Sequence, residues 1–320
     1  MNYGALIGDS LRLTLRNRYL WFFGFFAGGT ATNFVFNVPS NFSNVPSDLE
    51  NLDPGSVALS PALVVQGGPG GGTVALVAAL VLLALLLILL VIALSLLSRA
   101  ALVDGVAAIE GGGERRFASA WRAGAAGMWR VLGLGVLLFL LGLGLLLAVA
   151  APVGLGIALV FAVTQSVGAR VLVTVLLSLV AVALLIAIFV PLAIIGQLAL
   201  RRMLLGGDGI TGCIGGGYGM FRRNVGRSLL LWLIQIVVAF GLGIALLIVA
   251  AIVGLLLFLP TIILAVSEIT TAAIVAGVIA GVLLLALFVV ASGALGTFGS
   301  AYWTLAYLRL EAPETRAAEV

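Results

Sequence analysis

Residues Arg201 to Trp232 read RRMLLGGDGITGCIGGGYGMFRRNVGRSLLLW, and the reading of this polar interval between two long apolar runs decides the fold. Its centre repeats. Asp104 to Phe117 is DGVAAIEGGGERRF and Asp208 to Phe221 is DGITGCIGGGYGMF; both fit D-G-x5-G-G-G-x3-F without a gap. Four of the six matched positions are Gly in a chain with 42 Gly, so the shared Asp, the shared Phe and the common register carry the signal. Two such intervals, each flanked by runs long enough to cross a bilayer, describe an all-α polytopic membrane protein built around two cytoplasmic elbows.

The composition agrees and excludes much chemistry. The chain is 63% hydrophobic and 9% charged, with a mean hydropathy of +1.30, well outside the range of soluble domains. It has no His and one Cys, Cys213, and all sixteen of its basic residues are Arg. A His-based acid or base, a Ser-His or Cys-His nucleophile pair, a His/Cys zinc site and a disulfide are therefore not expected, nor is any other cofactor. A P-loop lacks its Lys. The pI of 9.8 does not argue for nucleic acid, because Arg at span ends reports orientation and attraction to anionic lipid.

The apolar runs predict six spans, at about 19–36, 73–98, 131–151, 171–200, 228–259 and 270–308. Residues 1–18 read as a short interfacial helix with Leu11 and Leu15 on one face. The first run, Tyr19–Phe36, also has the outline of a signal peptide, but its basic leader is long and its tail stays aromatic. Residues 37–72 are a loop with five of the nine Pro and the acids Asp48, Glu50 and Asp53. Pro152 and Pro260 are expected to end spans three and five, and Pro191 to kink span four. Thr270–Leu308 is longer than a straight crossing needs, so a break is expected at Ser292-Gly293, Gly296 and Gly299. Residues 311–320 form a short charged tail that is expected to be disordered. With the N-terminus inside, every Arg except Arg170 takes an inside position and the acidic loop faces out, which gives three hairpins in the cell membrane with both termini cytoplasmic.

The elbows, residues 99–130 and 201–227, hold the candidate sites. Gly111–Gly113 should stop the preceding helix. Beyond them, Phe117, Trp121, Ala125 and Met128 cluster on one side of a helical wheel and Arg115, Arg116, Arg122 and Arg130 on the other, so residues 114–129 are expected to form a helix lying in the membrane plane. Arg115, Arg116, Arg222 and Arg223 are the candidate cationic surface for anionic headgroups or an acidic partner, since a guanidinium takes phosphate oxygens two at a time. Asp104 and Asp208 are candidates for fixing each elbow to the bundle by pairing with Arg. Gly207–Gly212 satisfies G-x-G-x-x-G but follows a membrane helix and lacks the later acid, so it reads as a turn. Arg170 and Glu268 are the ionisable groups nearest the spans, both in outer connections. Gln197 and Gln235 read as interhelical ties.

The ending SAYWTLAYLRL (Ser300–Leu310), the WFFG start at Trp21 and the Gly-broken, Arg-rich elbows resemble bacterial and archaeal multi-pass proteins related to the membrane domain of glycerophosphodiester phosphodiesterases. In that family the phosphodiesterase activity belongs to a separate soluble domain that relies on His. This chain has neither, so the resemblance implies an accessory module and gives no catalytic residue. The expectation is a non-enzymatic membrane module contacting lipid headgroups or a partner protein. The alternative is the membrane subunit of a transporter driven by a separate ATPase, its elbows pressed against that partner.

Overall fold

The computed structural model describes residues 2–28, 71–113, 116–267 and 269–318. The end of the first expected span, Arg115, Glu268 and the acidic loop up to residue 70 lie outside the described residues, as do the last two residues of the tail. Among the described residues there are eight helices and no strand: α1 (Tyr3–Arg16), α2 (Leu20–Gly28), α3 (Gly71–Glu110), α4 (Phe117–Val163), α5 (Val167–Leu205), α6 (Ile210–Arg223), α7 (Val225–Val266) and α8 (Thr270–Ala318). Five of them, α3, α4, α5, α7 and α8, are long and apolar enough to cross a membrane. Helices suit lipid because each satisfies its own backbone groups. The chain is a multi-pass membrane protein.

The long helices run from 39 to 49 residues. At 1.5 Å per residue that is about 58–74 Å, twice the roughly 30 Å hydrocarbon core. Burial shows how the excess is used. Leu76–Leu90 of α3 is exposed on every face, whereas Leu97, Ala100–Val103 and Val106 are buried. In α5 the buried residues are Ile194 to Met203, and in α8 they gather between Ser292 and Leu310. One end of the bundle is thus a packed base, and apolar helices extend from it with lipid-facing surfaces.

The base is built around the end of α8. Phe298, Ala301–Tyr307 and Leu310 are buried all round, packed by α1, α2, α3, α5 and α7. The tightest approach is to α2. A Cβ on Gly24 would collide with the Gly293 carbonyl and with Thr297, and one on Gly296 would collide with the Gly24 carbonyl. The two backbones touch, which only Gly permits. Thr297 Oγ1 lies 2.9 Å from the Leu20 carbonyl across this contact, and Tyr302 Oη donates to the Leu231 carbonyl of α7 at 2.9 Å. α1 is capped by Asn2, whose Oδ1 accepts from Ala5 N, and is tied to α8 by Asp9 Oδ2 and Arg309 Nη2 at 2.5 Å. Its buried face is Leu6, Ser10, Leu13 and Thr14; the expected pair Leu11 and Leu15 is exposed.

Several expected breaks are not breaks. α8 runs through Gly293, Gly296 and Gly299: Gly293 and Gly296 serve the α2 crossing, and Gly299 faces Gln235 of α7. It also continues to Ala318, so most of the tail expected to be disordered is helical. α4 runs through Pro152 to Val163, and α7 through Pro260 to Val266. A membrane helix tolerates Pro where the freed carbonyl is satisfied locally. The first elbow is not a separate helix either. α4 starts at Phe117 and passes Arg130 without interruption. Its buried stripe is Ala120, Gly124, Gly127, Val131 and Leu134, and a Cβ on Gly124 would sit 2.6 Å from the Leu97 carbonyl of α3. Phe117 stacks on Phe23 of α2 with centroids 5.0 Å apart, so its ring meets protein. The second elbow does contain a separate helix, α6.

The sequence repeat folds in two ways. In the first copy Asp104-Gly105 lies inside α3, with Gly105 facing Leu20, and Gly111–Gly113 ends the helix. Gly112 takes φ +77°, Gly113 N donates to the Ala108 carbonyl at 2.9 Å and Gly112 N to Ile109 at 3.0 Å. This is a Schellman ending. In the second copy the break comes earlier, at Gly206-Gly207, where Gly207 takes φ +74°. Gly215–Gly217 then lies within α6, and a Cβ on Gly217 would sit 3.1 Å from Ala199 N of α5. One triplet stops a helix; the other lets a helix lie on its neighbour.

Gly296→Ala should destabilise the base by about 3 kcal/mol or more, because backbone would have to move. Gly144→Ala, with open space around it, should be neutral or stabilising by up to about 1 kcal/mol. Thermal unfolding of both variants in one detergent checks this; equal melting temperatures would contradict the packing.

Candidate functional site

The residues singled out from the sequence divide. Arg116 and Arg222 are exposed, at the start of α4 and in the last turn of α6, with Arg223 exposed beside Arg222. At the α6 terminus the two cations complement the helix dipole. Asp208 accepts from Arg202 Nε at 2.6 Å and ties the start of α6 to the end of α5. Both groups are about one-third exposed, so the pair contributes up to about 1 kcal/mol. Asp104 is half-buried within α3. Arg170 caps α4: its Nε donates to the Thr164 carbonyl at 2.6 Å, and its guanidinium lies 5.2 Å over the Phe161 ring. Cys213 is buried, and burial raises its thiol pKa, so the thiolate is disfavoured.

The base holds a half-open cavity of about 570 Å³ that none of the candidate Arg or Asp residues lines. Arg99 of α3, Gln197 and Arg201 of α5, Gln235 of α7 and Ser300 and Trp303 of α8 form its polar wall. Gln197 and Arg201 are one helical turn apart, so the guanidinium folds back along its own helix. Arg201 is 2% exposed. Its Nη1 donates to the Gln197 carbonyl and to Gln197 Oε1, both at 2.7 Å, and its Nη2 reaches the Ser300 carbonyl at 3.4 Å. Its Nε has no hydrogen-bond partner among the described residues. Arg99 Nε donates to the Ala27 carbonyl at the end of α2 at 3.1 Å.

The electrostatics of this wall are one-sided. Neither Arg99 nor Arg201 is within ion-pair distance of a carboxylate among the described residues, and no acidic residue lines the cavity. Both glutamine oxygens of the wall already accept a hydrogen bond. Gln197 Oε1 takes Arg201, and Gln235 Oε1 takes Trp303 Nε1. The donors of the wall are the two guanidinium groups and the two amide nitrogens, beside the hydroxyls of Ser292 and Ser300. Arg99 is exposed and Arg201 buried; holding the Arg201 charge out of water without a counter-ion is costly, and the arrangement is complementary to an anion with several acceptor oxygens. Among the described residues no cluster of metal-ligating side chains occurs.

A second cavity, about 520 Å³, adjoins the first between α3, α4 and α5. Arg99, Gln197 and Leu200 line both; the remainder of the second is apolar, with Val131, Leu134, Leu138 and Phe189 among its walls.

The DUF7544 family model, described as a family of unknown function, matches residues 19–310. The chain belongs to that family. The match takes in all of α2 to α7 and α8 as far as Leu310, so both cavities lie inside the family region. Comparison with curated proteins and with solved structures found no match.

Reading the sequence places Arg99 and Arg201 among the cations that set orientation and misses the cavity they line. The signal that marks Arg201 is Gln197 four residues earlier, an acceptor at the helical spacing that lets a buried guanidinium turn inward. Gln235 does tie two helices through Trp303, as its type suggests.

The Ser300 carbonyl also accepts from Thr304 Oγ1, so Arg201 leaves only Gln197 Oε1 unpaired when removed. Arg201→Met is therefore expected to change stability by less than about 2 kcal/mol. A loss nearer 3–5 kcal/mol in chemical or thermal unfolding would instead make Arg201 one half of an essential buried pair.

Proposed function

We propose that the protein is a non-enzymatic membrane module that binds the anionic headgroup of a lipid in the cavity lined by Arg99 and Arg201. The observation that supports this reading is the cationic wall: two guanidinium groups without a carboxylate partner among the described residues, beside two glutamines whose oxygens each already accept a hydrogen bond. The reading includes six spans as three hairpins, with the base and both termini at the cytoplasmic face of the cell membrane, because the Arg residues gather at the base. Anionic lipids of the cytoplasmic leaflet are then the headgroups within reach. Exposed Arg116, Arg222 and Arg223, with Arg115, add generic attraction of about 1 kcal/mol each near that surface. The resemblance to membrane domains of glycerophosphodiester phosphodiesterases fits the same role, as an accessory module. Asp208 fixes the second elbow through Arg202 in this reading, and Asp104 serves the first.

One observation favours a second reading, the membrane subunit of an ATPase-driven transporter. α6 is a short helix between two spans that displays Tyr218, Arg222 and Arg223 outward, the form a contact with a soluble partner subunit would take. Co-purification of an ATPase would favour it.

Lipid retained through purification in a mild nonionic detergent tests the first reading. The wild type is expected to be enriched in anionic phospholipid relative to the host membrane, and an Arg99→Gln/Arg201→Gln variant to lose that enrichment. An Arg116→Gln/Arg222→Gln variant should keep it. Equal enrichment in the wild type and the cavity variant, measured by mass spectrometry of extracted lipid, would refute the assignment.

A further inference from the structure

The two cavities are not independent, and their junction says what kind of anion is held. Arg99, Gln197 and Leu200 line both, so the cationic chamber and the groove between α4 and α5 meet at these side chains. Beyond that junction the groove turns apolar. Its walls on α4 run from Val131 to Leu146. Those sixteen residues of helix span about 22 Å, more than the roughly 15 Å depth of one leaflet's hydrocarbon. The groove owes its room to missing side chains. Gly135 and Gly142 line it on α4 and Gly196 on α5. A Cβ on Gly135 would meet nothing within 4 Å, one on Gly142 would lie 3.5 Å from the Phe189 ring, and one on Gly196 3.1 Å from Leu138. Water has little reason to occupy such a space, because past Arg99 and Gln197 it finds no partner.

We propose that the bound molecule is an anionic amphiphile whose phosphate or carboxylate sits between Arg99 and Arg201 and whose hydrocarbon chain lies in the α4–α5 groove. This rests on reading the chamber as a headgroup site and adds the chain. Charge selects the head at one end and apolar area retains the tail at the other. A free phosphate satisfies only the first requirement and a neutral lipid only the second. Arg99 stands where head and tail part. Its Nε is held by the Ala27 carbonyl, which fixes the guanidinium at the junction and leaves its other nitrogens to the ligand.

Alkyl phosphates test head and tail separately. Inorganic phosphate, butyl phosphate, octyl phosphate and decyl phosphate are titrated into the full-length protein in nonionic detergent, below the micellar concentration of each probe. Binding is read by native mass spectrometry. The wild type should bind all four, with affinity rising two- to four-fold per added methylene as the chain enters the groove. Gly135→Phe should flatten that rise and leave inorganic phosphate binding unchanged. On the wild type, a decyl phosphate carrying a terminal diazirine should label α4 within 131–146 or α5 within 189–196. A chain-length rise that survives Gly135→Phe, or labelling confined to other helices, overturns the chain assignment and leaves the headgroup reading standing. Absence of any rise in the wild type does the same. Failure of the wild type to bind even inorganic phosphate or butyl phosphate removes the headgroup reading, and this inference with it. The labelling arm needs no variant, so the inference can fail even if Gly135→Phe does not fold.

Discussion

The contact between α2 and α8 at Gly24, Gly293 and Gly296 is the constraint on which the base depends. Helices in lipid gain nothing from hiding apolar surface from each other, so close backbone approach and hydrogen bonds between helices must hold them. Here the backbones touch, and Thr297 reaches across to the Leu20 carbonyl. That crossing centres the end of α8, and the end of α8 organises everything else. Tyr302 fixes α7, Trp303 occupies Gln235, and the Ser300 carbonyl meets Arg201. The same crossing sets the end of α2, whose Ala27 carbonyl holds Arg99. Both cations of the cavity are therefore placed, directly or through one neighbour, by a contact made possible by three glycines.

The class of the fold was readable because continuous apolar runs leave little choice of structure. The lengths were not. Pro152 and Pro260 look like stops in a sequence read for local propensity, yet α4 and α7 pass through them. Gly293 and Gly296 look like a hinge for the same reason, and the structure uses them for contact. Each of these errors treats a tertiary function as a local one. The repeated D-G-x5-G-G-G-x3-F shows the point within one chain. The triplet after Ile109-Glu110 ends a helix, while the triplet after Cys213-Ile214 lies against Ala199 and the Arg202 side chain. Register and composition match; the neighbours differ.

The site was less legible than the fold. An Arg at the end of an apolar run has an ordinary explanation in orientation, and the exposure of Arg116, Arg222 and Arg223 agrees with it. Arg201 differs only in what packs over it. That is a property of α8, about one hundred residues away, and the spacing Gln197-x3-Arg201 was the single local trace of it. Asp208 was legible, because a short loop after two Gly brings its carboxylate back to Arg202. The physical logic of the cavity lies in accounting for donors and acceptors. With a bond already on each glutamine oxygen and no carboxylate in the lining among the described residues, the wall is cationic and rich in donors, the chemistry that suits an oxyanion.

A crystal structure of the wild-type protein with decyl phosphate bound tests this account most directly, because it compares the two sets of arginines in one map. The account predicts the phosphate within hydrogen-bonding distance of the guanidinium groups of both Arg99 and Arg201. A phosphate held instead at Arg116 or at Arg222 and Arg223, with the cavity filled by water or by a carboxylate of the chain itself, would contradict it.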